Sequence, residues 1–169
     1  MAGSSVKVRC GVFMTAAFTA IFVLTNPAKT QGSGPFSNMA GNWAGGGSFA
    51  IGNGANESIR CRAHYLVGST GATVNLELRC ASDSYKFELQ GNVRHQNGEV
   101  LGDWNERTRG TAGRVVGSIK GDRLDVRIEG QTFSALLSLT TRGDKQTISI
   151  TAPVGREMSE ASITLNRRG

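Results

Sequence analysis

The sequence predicts an all-β protein, an antiparallel up-and-down meander that closes into a barrel of about eight to ten strands with one disulfide. Three observations predict it. From residue 41 onward, apolar residues alternate with polar ones instead of recurring every third or fourth position. Glycine-containing turns separate the alternating runs. Successive runs also pair with their apolar residues on one common face. A β-sandwich is the alternative arrangement.

Residues 1–30 are typical of a secretory signal peptide. Lys7 and Arg9 precede an uncharged apolar run from Cys10 to Leu24, and a short polar stretch follows. This run of about fifteen residues is shorter than the roughly 20 that a membrane-spanning helix needs, so a permanent anchor is the weaker interpretation. We therefore expect cleavage and a periplasmic or secreted protein without an integral membrane segment.

The remaining chain divides into a leader and one domain. Residues 31–40 are rich in Gly, Ser and Asn, which predicts a flexible leader. Residues 41–169 are long enough to form a single barrel with its own core. Losing the signal lowers the formal charge from +6 to about +3, because the signal contains three cations and no carboxylate.

Two cysteines define the first hairpin. Pairing Cys61 with Cys80 also pairs Tyr65 with Leu76, and it places all the large apolar neighbours on one face. A one-residue slip would turn that set to solvent. We expect Cys10 to be lost with the signal, which leaves an even pair of cysteines behind an export signal. That pair predicts one disulfide, worth about 3 kcal/mol in the chain-entropy model.

The later hairpins follow from their turns. Asn97-Gly98 is a strong type I′ signal, because both central positions of that turn need positive φ. Residues 158–166 are left for a final strand or short helix. The predicted partners are Cys80 with Tyr85, Leu78 with Phe87, Gly91 with Trp104, Gly117 with Val126, Ile128 with Phe133, Val126 with Ala135 and Leu137 with Ile150.

The inward face supplies the first set of candidate binding residues. Glu106 falls inward at one barrel end, where it would meet a cationic ligand group or an arginine of the protein. Inward glycines leave room for a small apolar ligand, unless they permit strand bending while the aromatics fill the core. The aromatic candidates are Trp43, Tyr65, Phe87, Trp104 and Phe133, and the glycines are Gly45, Gly47, Gly91, Gly102 and Gly117.

The outward face supplies a second set, a basic row across four neighbouring strands. Its members are Arg62, Arg79, Lys86 and Arg109. Like charges placed directly opposite cost stability, so the row suggests an anionic partner such as phosphate or carboxylate groups of an envelope component. An adjacent row could partly neutralise it; that row contains His64, Glu77, Glu88 and Arg107. The small charge and the lack of an exposed aromatic stripe argue against nucleic acid.

Catalytic and metal-binding motifs are missing from the sequence. There is no Gly-x-Ser-x-Gly, His-Glu-x-x-His or Gly-x-x-x-x-Gly-Lys segment, and the only histidines are His64 and His95, which we expect on the surface. Bonded cysteines would leave too few ligands for zinc. We therefore predict a protein that is not an enzyme and has no cofactor or metal. An enzyme would need a carboxylate of strongly perturbed acidity, for which Glu106 is the candidate.

Gly41-Asn42-Trp43, taken with Arg167 near the end of the chain, resembles the calycin pattern of lipocalins and avidins. That resemblance implies a barrel whose tryptophan closes one end beneath a basic residue of the last strand, with a ligand inside. Residues 59–65, 78–85 and 102–106 also resemble uncharacterised exported proteins of alphaproteobacteria. This chain is also similar in kind to a bacterial metalloprotease inhibitor. The alternative function is therefore that of an interaction protein, either a protease inhibitor or an envelope component, that docks through the basic row.

Overall fold

Ten antiparallel strands form a closed barrel in which each strand pairs with its neighbours in sequence and β1 pairs with β10. The computed structural model describes residue 3 and residues 34–51, 55–131, 134–152 and 158–169. Apart from residue 3, the expected signal segment lies outside the described residues, and so does Phe133. The barrel confirms the predicted fold and replaces the sandwich alternative. A short 3-10 helix covers Ser37–Met39, and the strands are β1 Gly41–Ile51, β2 Asn56–Val67, β3 Thr73–Ala81, β4 Lys86–Gln96, β5 Glu99–Glu106, β6 Thr111–Lys120, β7 Arg123–Gly130, β8 Ser134–Arg142, β9 Lys145–Thr151 and β10 Met158–Arg168.

The hairpins with the clearest sequence signals have the predicted register. Cys61 pairs with Cys80 across β2 and β3, and a disulfide joins them. Asn97 has a φ of 53° and Gly98 a φ of 84°, as a type I′ turn requires. The predicted registers of β6 with β7 and of β8 with β9 are also confirmed.

Two hairpins are shifted by two residues from the prediction. Cys80 pairs with Phe87 rather than with Tyr85. Ile128 pairs with Ala135 rather than with Phe133. A shift of two leaves every side chain on its own face, because side chains alternate with a period of two. The alternating pattern that predicted the inner face therefore could not distinguish these registers.

The shift between β3 and β4 has a local cause in the connecting turn. The backbone N–H of Ser82 donates to the carbonyl of Tyr85 at 2.9 Å, and the N–H of Tyr85 donates to Ser82 Oγ at 3.0 Å. Tyr85 thus belongs to the turn, where its ring packs 5.5 Å from that of Phe49. Glu57 accepts hydrogen bonds from the hydroxyls of Ser82 and Ser84 and fixes the turn against β2.

Residues 34–40 pack into one end of the barrel, which differs from the flexible leader expected there. The N–H of Phe36 donates to the carbonyl of Gly71 at 3.0 Å, and the Phe36 ring is fully buried. Met39 is 4% exposed. Burying these two side chains contributes about 2 kcal/mol each, which offsets the cost of ordering a Gly- and Ser-rich segment. We call this end, where β1 starts, the closed end.

Most of the inward glycines serve bending of the sheet. A Cβ added at Gly45 or Gly47 would collide with carbonyl oxygens of β10, and one added at Gly102 or Gly117 would collide with a partner strand in the same way. Neighbouring backbone therefore occupies the space that these glycines leave. Gly91 differs, because the atom nearest to its added Cβ is 3.7 Å away. Of these five predicted space-creating glycines, Gly91 alone leaves room.

Candidate ligand-binding interior

Several inward-facing apolar side chains around the barrel are only partly buried. A tightly packed core would bury such side chains fully. Closing ten strands rather than eight widens the interior beyond what side chains readily fill. The partly buried inward residues include Leu76, Leu78, Phe87, Leu89, Val93, Ile128, Leu137 and Ile150.

Trp43 belongs to the closed end of the barrel. It is 1% exposed, and its indole N–H donates to the carbonyl of Met39 at 2.8 Å. The guanidinium of Arg167 lies 4.3 Å above the indole ring, donates to the carbonyls of Asn38 and Ala40, and pairs with Asp144 at 2.9 Å. A cation–π contact of this kind contributes roughly 1 kcal/mol. Trp43 and Arg167 therefore close the barrel as the calycin resemblance implies.

Tyr65 lies in a buried polar cluster that the sequence analysis missed. Gln146 is fully buried and its amide N–H donates to Thr141 Oγ1 at 3.2 Å, while its Oε1 has no hydrogen-bond partner among the described residues. Burial raises the pKa of the Tyr65 phenol, against the opposing effect of the Gln146 hydrogen bond, so the phenol stays neutral. The signal for this cluster was a polar residue at an inward position of β8 and of β9.

Trp104 lies over glycines of the neighbouring strands. Its register partners are Gly91 on β4 and Gly113 on β6. The indole is 5% exposed, and its N–H donates to the carbonyl of Glu129 at 3.3 Å. A Cβ at Gly113 would lie 2.9 Å from the indole nitrogen, so the glycine makes room for the ring. Trp104 thus packs against the barrel wall, and of the described aromatic candidates Phe87 is the partly exposed one.

Glu106 points inward at the end opposite the closed end, as predicted, and its carboxylate is occupied by the protein itself. It is 3% exposed and accepts hydrogen bonds from the backbone N–H groups of Glu88, Thr108 and Arg109 and from the Thr108 hydroxyl. Burial acts to raise the pKa of Glu106, but these hydrogen bonds outweigh it and lower the pKa to about 2. A general acid needs a raised pKa instead. The nearest guanidinium, that of Arg109, lies 3.7 Å away.

The outer basic row is only partly as predicted. Arg62 does lie directly opposite Arg79. The two-residue shift of β4 places Glu88 opposite Arg79 and moves Lys86 opposite Ala81. Arg109 lies in the turn after β5, with its guanidinium 4.1 Å above the Tyr85 ring. The four-cation row across four strands is therefore wrong.

The neighbouring polar row keeps part of its predicted register. His64 lies opposite Glu77, and its Nδ1 forms a 2.8 Å hydrogen bond with Oδ1 of Asn42.

In the part of the chain that the structure describes, no three His, Cys, Asp or Glu side chains are grouped to hold a metal ion. The described residues also contain no helix of the length and apolarity needed to cross a membrane.

The closed ten-strand meander, with its Trp43–Arg167 closure, defines a calycin-like β-barrel. The solved structures that are similar to it include the following two. Rv2717c from M. tuberculosis has a TM-score of 0.63 at 14% identity, over 79% of this chain and 94% of that one. The S-type phycobiliprotein lyase CPES from Guillardia theta has a TM-score of 0.54 at 10% identity, over 79% of this chain and 90% of that one. These likenesses show the fold alone. No protein-family model matches the sequence, and no curated protein matches it significantly.

Proposed function

We propose that this chain is an exported, non-enzymatic barrel protein that binds a small apolar ligand in its interior. The observation that carries the proposal is the set of partly exposed inward side chains, which includes Leu78, Phe87, Leu89, Leu137 and Ile150. Exposed apolar surface inside a barrel is stabilised by contact with an apolar molecule, at about 25 cal/mol per Å² removed from water. Export is the part of the proposal that rests on the signal-like residues 1–30.

The runner-up is an interaction protein, a protease inhibitor or envelope component that docks through the outer basic row. That role needs no interior space, so it does not account for apolar side chains left partly exposed within the barrel. The corrected register also removes Lys86 and Arg109 from the row on which it depended. The partly buried inward side chains therefore favour the carrier.

A pair of adjacent residues on β8 provides the test. Leu137 faces inward and is partly buried, whereas Leu136 faces outward and is 59% exposed. The wild-type barrel should bind the neutral fluorescent probe N-phenyl-1-naphthylamine saturably. Leu137→Trp should fill part of the interior and weaken binding by about tenfold or more, while Leu136→Trp should bind like wild type.

Thermal melting of both variants shows that each is folded before the titrations are compared. No saturable binding by the wild type would overturn the carrier proposal, and so would equal affinities of the two folded variants. Native mass spectrometry of protein purified from the periplasm of the cells that make it then identifies the ligand. We expect excess mass on the order of a few hundred daltons that is lost on denaturation.

A further inference from the structure

A groove lined by arginines crosses the outer face of the barrel from β10 to β4. Two adjoining surface cavities of about 560 and 440 Å³ form it. Both are lined by Ala44, Arg62, Arg79 and Arg168. The first extends over Asn42, His64 and Glu77, and the second extends over Arg60, Lys86 and Glu88. Five cationic side chains therefore border the groove against two carboxylates.

The floor of the groove is the outer face of β1. Ala44 lies opposite Arg62 on β2 and Asn166 on β10, and Arg168 is opposite Asn42, two residues further along. Gly46 follows Ala44 on the same face. Such short side chains leave β1 low between its neighbours, so the long arginine side chains on either side can reach over Ala44.

The cations of the groove lack partners within the described protein. Among the described residues, the side chains of Arg60, Arg62, Arg79, Lys86 and Arg168 form no hydrogen bond and no ion pair within 4.0 Å, although the backbone carbonyl of Lys86 accepts a hydrogen bond from Arg109. Elsewhere on the described surface, some arginines are paired and others, such as Arg94 and Arg127, are not. Arg123 binds Asp125, Arg142 binds Asp122 and Arg167 binds Asp144. The groove thus contains a local excess of unneutralised positive charge.

The central pair of arginines is held at a fixed spacing. Arg62 and Arg79 lie directly opposite each other, next to the Cys61–Cys80 disulfide on the inner face. Two like charges in this position destabilise the free protein. An anion bound between them would remove that repulsion, and the disulfide limits the strand motion that binding would otherwise have to freeze.

We propose that the groove binds a phosphate monoester, with its phosphate over Ala44 between Arg62, Arg79 and Arg168. Guanidinium groups donate two parallel hydrogen bonds to one anionic group. A phosphate monoester offers three terminal acceptor oxygens and close to two negative charges, whereas a carboxylate offers two oxygens and one charge. Three arginines around one point therefore match phosphate better. Arg60 and Lys86 border the second cavity, where a further anionic group of the ligand would lie.

The test is an NMR titration that follows the arginine Nε–Hε signals at constant ionic strength, with inorganic phosphate as the probe. Wild type should show saturable shifts with phosphate and weaker ones with acetate. Arg62→Gln combined with Arg79→Gln should reduce phosphate affinity by about tenfold or more. The control, Arg94→Gln combined with Arg127→Gln, removes two exposed arginines outside the groove, and it should change the affinity less than about twofold.

A second double variant separates chelation from simple attraction. Arg62→Lys with Arg79→Lys keeps both charges but loses both guanidinium forks, so its phosphate affinity should also fall. Shifts without saturation in wild type, equal losses in the groove and control variants, or equal affinities for phosphate and acetate would each overturn the proposal. Unchanged affinity in the lysine variant would overturn binding through the forks. Naphthylamine binding to the interior should be unaffected in every variant, so the two proposals fail independently.

Discussion

Glu106 provides the sharpest test of how the turn after β5 is held. One carboxylate oxygen accepts the backbone N–H groups of Glu88 at 3.0 Å and Thr108 at 2.9 Å, together with the Thr108 hydroxyl. The other oxygen accepts the N–H of Arg109 at 2.8 Å. Glu106→Gln keeps the shape but replaces one oxygen by an NH₂ donor. At least one buried N–H would then face a donor instead of an acceptor.

The size of the effect follows from the pKa. The folded-state pKa of Glu106 is about 2, against 4.5 for the unperturbed group. Each pKa unit corresponds to about 1.4 kcal/mol, so ionised Glu106 contributes about 3 kcal/mol to the free energy of unfolding. Because the folded pKa is the lower one, this contribution is complete well above pH 4.5. It is lost as the pH falls from about 4.5 to about 2.

Urea denaturation at pH 7 and pH 3 measures both points. At pH 7, Glu106→Gln should lower the free energy of unfolding by about 3 kcal/mol. At pH 3 the difference from wild type should fall to about half, because Glu106 is then mostly protonated in the unfolded chain but still mostly ionised in the folded protein. Glu99→Gln, an exposed residue at the other end of β5, serves as the control and should change little. A difference that is absent at pH 7, or equal at the two pH values, would refute the reasoning.

Two further predictions concern the strands themselves. Cys61→Ala with Cys80→Ala removes a cross-link between residues 19 apart, worth about 3 kcal/mol, and should lower the melting temperature in oxidising buffer by about 10 °C. An unchanged melting temperature would contradict this. Gly47→Ala should destabilise by about 2 kcal/mol or more, because its Cβ would collide with the carbonyl of Ser162. Gly91→Ala should change stability by less than about 1 kcal/mol, because its Cβ would meet its neighbours at ordinary van der Waals distances of 3.7 Å or more. Urea denaturation compares the two, and equal effects would contradict the assignment of Gly47 to sheet bending.

The sequence predicts the inner face of this barrel better than the registers of its hairpins. Where a turn type is fixed, as at Asn97-Gly98, both face and register follow. Where a serine side chain closes a longer turn, as Ser82 does between β3 and β4, the register differs by two residues from the predicted one. The alternation of apolar and polar residues does not reveal this difference. That shift also placed Lys86 wrongly beside Arg79, so an error in local turn chemistry became an error in the predicted outer surface.

Candidate site residues were hardest to predict where the barrel closes. Arg168 joins Arg62 in one groove because β10 pairs with β1, a contact between the two ends of the domain that local hairpin pairing does not supply. Burial inside the barrel was equally difficult. Inward position was predictable for Trp43 and Phe87, but only packing shows that Trp43 is buried at one end and that Phe87 is partly buried.

Residues 44–47 connect barrel closure to the proposed phosphate groove. Gly45 and Gly47 face inward where β10 leaves no room for a Cβ, and an added Cβ at Gly46 would collide with the carbonyl of Ile59. Barrel closure thus requires small residues on β1. This requirement alone explains the depression on the outer face. Closure does not require arginines beside that depression, yet Arg62, Arg79 and Arg168 line both of its cavities without an ion pair among the described residues. The charges, rather than the shape, are therefore the evidence for a ligand.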